Sequence, residues 1–190
     1  MNNVKLAIFV SGGGTNCENI IKHFQGNDNV CIPIVVSSSK DAYAITRAKN
    51  LGVPTAVITR QQLNEQPDMV LNTVNGCDYI ILAGFLPKVP EYLIEKFPNR
   101  IINIHPALLP KFGGKGMWGH HVHEAVKAAG ETESGITIHY VNAELDKGDH
   151  IAQYSTTLSP DDTPDDIADK VHMLEMKYFP SVIEQVIKQA

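Results

Sequence analysis

Seven short apolar runs, most of them rich in β-branched residues, recur along the chain: Val4–Val10, Val30–Val36, Thr55–Ile58, Tyr79–Ala83, Ile101–Ile104, Gly135–Val141 and Ile151–Thr157. Helical patterns separate most of them. This alternation constrains the fold more than any other feature, because strands that take turns with helices build a mostly parallel sheet covered by helices on both faces. The first run is apolar apart from Lys5, as expected of a strand buried on both sides. Behind it, Cys17, Ile20, Ile21 and Phe24 fall at i, i+3, i+4 and i+7, the stripe of an amphipathic helix. The chain therefore opens with a β-loop-α unit and reads as α/β.

At 190 residues, with no internal repeat and no Pro/Gly/Ser-rich linker, one domain over 1–190 is expected. A chain with 43% hydrophobic and 19% charged residues has the balance of a globular protein, which excludes disorder for most of it. The net charge is -5, from 16 basic and 21 acidic residues, with no basic cluster to relieve it. That argues against nucleic acid as a partner but leaves room for a small anion. The longest apolar stretch, Tyr79–Leu86, is far below the roughly 20 residues of a membrane span, and Leu6–Val10 is too short for a signal-peptide core. No membrane partner and a cytoplasmic location are expected. Cys17, Cys31 and Cys77 are widely spaced and form no C-x-x-C pair, so they read as reduced core thiols.

Ser11-Gly12-Gly13-Gly14-Thr15-Asn16 follows the first strand directly, and Thr15 with Glu18 forms a capping-box pattern that predicts a helix starting there. Free N–H groups at such a helix end suit a phosphate, because glycine lets the backbone approach and the helix dipole favours negative charge. A dinucleotide fingerprint would need glycine at Cys17 and an acid at Ser37-Ser38-Ser39; a P-loop would need G-K-[ST]. Neither pattern is present. The competing reading is a tight turn that serves only helix packing.

Asn103 and His105 end an apolar strand on one face, and Pro106 then stops the ladder. In open α/β sheets ligands bind beyond the carboxyl ends of strands. There an amide N–H can stabilise an oxyanion while an imidazole moves a proton, the pairing that acyl transfer requires. The alternative is two side chains that satisfy loop carbonyls. His120, His121 and His123 have the look of a metal tract but lack a second ligand cluster, so they read as the surface of a helix start, and no metal is expected. His139, alternating with Thr137, reads as a histidine satisfied within a sheet face, and Leu145–Asp149 as an acidic turn between strands. Thr163-Pro164-Asp165-Asp166 predicts a helix N-terminus, with Ile167, Val171, Leu174 and Tyr178 as its apolar stripe and Pro180 as a kink or break. The one unusual loop, Lys111–Gly119, holds four glycines and the only Trp.

In chain order, Ser11–Asn16, Ala83-Gly84-Phe85-Leu86, Asn103-Ile-His-Pro-Ala-Leu-Leu-Pro110, Gly135-x-x-x-His139 and Leu145-Asp-x-Gly148 resemble the folate-dependent formyltransferase family, in its purine-synthesis branch. The likeness runs from the first strand to Glu175. It implies a Rossmann-like fold and transfer of a formyl group from 10-formyltetrahydrofolate, as co-substrate, to the amine of glycinamide ribonucleotide. By the same carry-over Asn103, His105 and Asp146 are the catalytic trio. Gly14, Thr15 and Asn16 would hold the ribonucleotide phosphate, and Glu175 would contact the nucleotide. The backbone of Leu86, Pro87, Lys88 and Val89, with Asn103, would line the folate pocket. An arginine common at the folate site corresponds to Arg60, although Gln61 aligns equally well. The stretch Gly113–Gly119 is longer than the Pro-Gly loop of many relatives, and Lys147-Gly148 stands where two glycines often follow the aspartate.

Elementary chemistry agrees with this reading. Amine attack on a formyl carbon builds a tetrahedral intermediate with a negative oxygen, which Asn103 and a protonated His105 can stabilise while Asp146 holds the imidazolium and relays protons through water. Neither a metal nor a redox cofactor is required. Methionyl-tRNA formyltransferases share the Asn-x-His-Pro region but carry a further C-terminal domain. Formyltetrahydrofolate hydrolases share the trio but usually begin with a regulatory domain. A non-catalytic nucleotide-binding protein would have use for Ser11–Asn16 and none for the trio. The expectation is the transferase.

Overall fold

The structure is a computed structural model and describes residues 3–189. The chain divides into two compact units, Met1–Ile102 and Asn103–Ala190, and the boundary falls inside a strand. The first unit contains β1 (Val4–Val10), α1 (Thr15–Phe24), β2 (Val30–Ser37), α2 (Tyr43–Asn50), β3 (Thr55–Val57), α3 (Arg60–Glu65), α4 (Pro67–Thr73), β4 (Tyr79–Leu82) and α5 (Glu91–Lys96). β5 (Ile101–His105) crosses the boundary. The second unit continues with α6 (His120–Ala128), β6 (Glu133–Tyr140), β7 (His150–Thr157) and α7 (Pro164–Gln189). Strand order in the seven-stranded sheet is β3-β2-β1-β4-β5-β6-β7. Pairs β1–β2, β1–β4 and β2–β3 are parallel, while β6–β7 is antiparallel.

Central placement explains the unbroken apolar run of β1. Ile8 pairs with Val35 on one side and Ile81 on the other, and Leu6, Ile8, Ile80 and Ile81 are all buried. Full burial of each such side chain contributes about 1.5–3 kcal/mol, so the middle of this unit is held chiefly by aliphatic packing. The stripe read from Cys17, Ile20, Ile21 and Phe24 is the buried face of α1. In the second unit α7 packs on α6 and against β6 and β7. Thr163 caps α7 as expected: its hydroxyl accepts from Asp166 N–H at 3.2 Å, and its own N–H donates to the Asp166 carboxylate at 2.8 Å.

Two local expectations are corrected. The N-cap of α1 is Gly14, in the left-handed region at φ 77°, and Thr15 makes no capping bond. A Cβ at Gly14 would overlap Ala44, so only glycine fits that close approach. Glu18 does not fold back to complete a box because its carboxylate is held by Lys22 and Arg47. The capping box of this unit lies elsewhere, between Thr59 and Gln62 at the start of α3. Secondly, of the kink or break expected at Pro180, the break does not occur: α7 runs through it. Phe179, Pro180, Val182 and Ile183 are all buried there, and that packing outweighs one absent backbone hydrogen bond.

Candidate active site

Period-2 alternation along β5 sends Ile102 and Ile104 to one face and leaves Asn103 and His105 on the other. His105 Nε2 lies 2.7 Å from the backbone carbonyl of Phe112. A carbonyl only accepts, so Nε2 carries the proton and the lone pair of the neutral ring sits on Nδ1. Facing Nδ1 at 3.7 Å is Asp146 Oδ2. The same carboxylate accepts from Gly114 N–H at 2.9 Å, and its Oδ1 lies 3.8 Å from His139 Nε2. Asp146 thus stands between two buried imidazoles. Phe112 and Asp146, which supply the neighbours of the two His105 nitrogens, both have left-handed backbones at φ 55°. For non-glycine residues that conformation is costly and clusters at functional sites.

His139 is satisfied within the sheet, as expected, yet it also belongs to this constellation, which the sequence reading missed. Its Nδ1–H donates to Tyr140 O at 2.9 Å, so Nε2 is the acceptor for Asn103 Nδ2–H at 3.1 Å. Burial pushes the His139 pKa below the ordinary imidazole range, against the pull of the Tyr140 carbonyl and Asp146, and keeps Nε2 unprotonated near neutral pH. One amide hydrogen of Asn103 is thereby fixed, and the amide retains a second to donate. Between Ile138 and His139 the β6–β7 register shifts, a bulge of the kind that re-aims a side chain beside a site. The spacing of Thr137 and His139 was visible, but Asn103 lies 36 positions away and only the fold pairs it with His139. The Lys147-Gly148 departure is also explained. A Cβ at Gly148 would overlap Tyr140 O, whereas Lys147 is exposed and pairs with Glu144 at 2.5 Å.

Other candidate residues of the second unit lie on α6 and α7. Glu175 on α7 is half-buried and accepts from His172 Nδ1 at 3.2 Å, which raises the His172 pKa. His123, expected at the surface with its two neighbours, is instead buried on the inner side of α6, and desolvation lowers its pKa against the opposing pull of Glu175. His120 lies 3.7 Å from Asp165, and His121 is 3.1 Å from Glu124. Among the described residues no group of three His, Cys, Asp or Glu side chains is placed to hold a metal ion.

In the first unit the glycine loop is tied to α2 through its carbonyls. Ala44 N–H donates to Gly12 O at 3.1 Å, and Arg47 Nε to Gly13 O at 2.9 Å. In a planar trans peptide the N–H points opposite to the preceding carbonyl, so the N–H groups of Gly13 and Gly14 face away from α2. Gly12 and Gly13 border open space. Thr15 and Asn16 follow as the first two residues of α1 and are half-buried. Backbone donors turned away from α2 beside the start of α1 are what an anion would need, and such a loop can hold one without rearranging. Leu86 is exposed, but its N–H already donates to Ser11 Oγ at 2.9 Å. Pro87 is half-buried, Lys88 exposed and Val89 buried. At the start of α3 the Gln61 amide is engaged with Glu65 at 3.0 Å, whereas the Arg60 guanidinium has no partner among the described residues. Burial pushes the Cys17 thiol up to about 12 and the Cys77 thiol up to about 11, as expected of inert thiols.

Residues 4–183 match the family model described as "Formyl transferase", a span that covers parts of both units. The chain is 38% identical over 192 residues to the chloroplastic phosphoribosylglycinamide formyltransferase of Arabidopsis thaliana, covering 97% of this chain. It spans 66%, just under two thirds, of that relative's length. It is 32% identical to the phosphoribosylglycinamide formyltransferase of Bacillus subtilis, over 96% of this chain and 94% of the relative. Among solved structures, the phosphoribosylglycinamide formyltransferase of Anaplasma phagocytophilum superposes with a TM-score of 0.88 at 31% identity, covering 99% of this chain and 89% of that one.

Proposed function

This chain belongs to the formyl transferase family, and from that premise we propose that it moves a formyl group from 10-formyltetrahydrofolate to the amine of glycinamide ribonucleotide. The observation that carries the reading is the arrangement of Asn103, His105 and Asp146, with His139 locking the amide and Phe112 O fixing the imidazole. The amine nitrogen bonds to the formyl carbon and gives its proton to His105 Nδ1. The imidazolium so formed faces the Asp146 carboxylate, with Nδ1 3.7 Å from Oδ2. The free N–H of Asn103 donates to the oxygen that becomes negative. The bond from that carbon to the folate nitrogen then breaks, and the proton passes to the departing nitrogen, through water held by Asp146.

Gly14, Thr15 and Asn16 would take the ribonucleotide phosphate, and Glu175 would contact the nucleotide. Leu86, Pro87, Lys88 and Val89, with Asn103, would receive the folate. Arg60 is favoured over Gln61 as the folate-site cation because Gln61 is engaged within its own helix. We take 1–190 as one formyltransferase domain, which the family match from 4 to 183 supports. We place it in the cytoplasm, a reading supported by three unpaired cysteines.

Formyl-folate consumption measured with and without glycinamide ribonucleotide tests the reading. Turnover only with the nucleotide is the expected result. Turnover without it would mean a hydrolase, and none in either case would leave a non-catalytic nucleotide-binding protein.

A further inference from the structure

We propose that Thr137 and Gln153 are positioning residues that select the tautomer of His105 by clamping the loop that supplies its Nε2 partner; this rests on the role assigned above to His105.

Thr137 on β6 and Gln153 on β7 are directly opposite one another across the antiparallel pair. The Thr137 side chain is completely buried, and its hydroxyl is used to capacity: it donates to Ala107 O at 2.7 Å and accepts from Leu109 N–H at 3.0 Å and Gln153 Nε2 at 2.9 Å. Gln153 Nε2 also donates to Leu109 O at 2.9 Å. Two side chains therefore satisfy three backbone groups of the segment that leaves β5 behind His105; the two Thr137 bonds to that backbone are buried, where water cannot substitute, and Gln153 closes the clamp from the exposed side.

The constraint passes on to the imidazole without a flexible spacer. Leu109 precedes Phe112 by three residues, and its side chain packs so closely on Gly113 that a Cβ there would overlap it. Phe112 O is the acceptor for His105 Nε2–H at 2.7 Å, and Gly114 N–H, two residues later, holds Asp146. One short loop thus carries the partner of Nε2 and an anchor of the carboxylate facing Nδ1. Were Leu109 released, Phe112 O would no longer be fixed against Nε2. The proton would then be free to shift to Nδ1, beside the Asp146 carboxylate, and the neutral ring would lose the lone pair that accepts the amine proton.

The test is Thr137→Val, which keeps the shape and removes the hydroxyl, alongside Thr137→Ser, which restores it. His105 tautomer is read from its ring 15N shifts in the ligand-free protein at about pH 8.5, where an ordinary imidazole is neutral. Wild type and Thr137→Ser should show the Nε2–H form, and Thr137→Val a mixture with Nδ1–H. In parallel, kcat of Thr137→Val should fall about tenfold or more, with KM for both substrates within about twofold. A folded Thr137→Val protein that keeps the wild-type tautomer overturns the proposal, as does failure of Thr137→Ser to restore it. If Thr137→Val does not fold, Gln153→Leu removes only the outer donor. A shift of the His105 tautomer in the same direction then supports the clamp, and an unmoved tautomer overturns it. Because the NMR arm needs no substrate, it decides the clamp even if the wild-type chain transfers no formyl group.

Discussion

Asp146 has a backbone at φ 55°, a region that asparagine tolerates well, so Asp146→Asn removes the charge with little conformational change. It should lower kcat about a hundredfold, the scale of a positioned acid–base group, with both KM values little changed. Near-wild-type turnover in steady-state assays would return Asp146 to a solvated turn. The glycine loop permits an equally direct separation of its two readings. A methyl group at Gly13 meets nothing in the structure, so Gly13→Ala should leave the thermal midpoint unchanged. If a phosphate approaches this backbone, the KM for glycinamide ribonucleotide should nevertheless rise several-fold; an unchanged KM would leave a packing turn. Asn103 and His105 were legible as candidates because two polar side chains share one face at the carboxyl end of an apolar strand, where ligands bind in α/β sheets. The hold of His139 on Asn103, and of the Phe112 carbonyl on His105, was not, since each depends on segments that only tertiary structure brings together.

Element boundaries were legible wherever a local rule governs them. Thr163, Pro164 and Asp166 made the start of α7 readable, and the capping bonds form there. Thr163→Ala should accordingly lower stability by about 1 kcal/mol, measured by urea unfolding, and no change would show that the cap is redundant with tertiary packing. The cap of α1 was misread because close contact with Ala44, invisible to local rules, demands glycine where Thr15 looked sufficient. Beyond Gly114, which anchors Asp146, Gly116 and Gly119 in the stretch 115–119 have positive φ, and Trp118 is 52% exposed and meets the His121 ring in a T-shaped contact. Glycine gives such a segment freedom to rearrange. Trp118 emission should therefore change when a substrate or folate analogue binds, and protease sensitivity with it; constancy in both would rule out a closing loop.

Over the whole molecule, alternation of strand and helix made the α/β class legible, but not the strand order, which depends on the packing of crossovers. Two buried histidines predict how stability varies with pH. Burial lowers the pKa of His123 and of His139 in the folded chain. Unfolded, both take protons near pH 6.5, so their contribution is fully present above that pH and is lost as the pH falls below it. His172, raised by Glu175, acts with the opposite sign, but its side chain is 42% exposed and its ion pair is screened. The urea midpoint should therefore be lower at about pH 5.5 than at about pH 7.5. A midpoint that rises on acidification would contradict the neutral burial of both rings. The left-handed backbones at Phe112 and Asp146 bear on a different matter, how variants of this chain would fare under selection. A library screened only for survival of heat should accumulate glycine at 112 and at 146, since the left-handed backbone costs a non-glycine residue about 1–2 kcal/mol, more than the roughly 0.4–1 kcal/mol of unfolded-chain entropy that glycine adds. The survivors would outlast their parent while having loosened or discarded what surrounds His105, so endurance and turnover pull in opposite directions at these two positions.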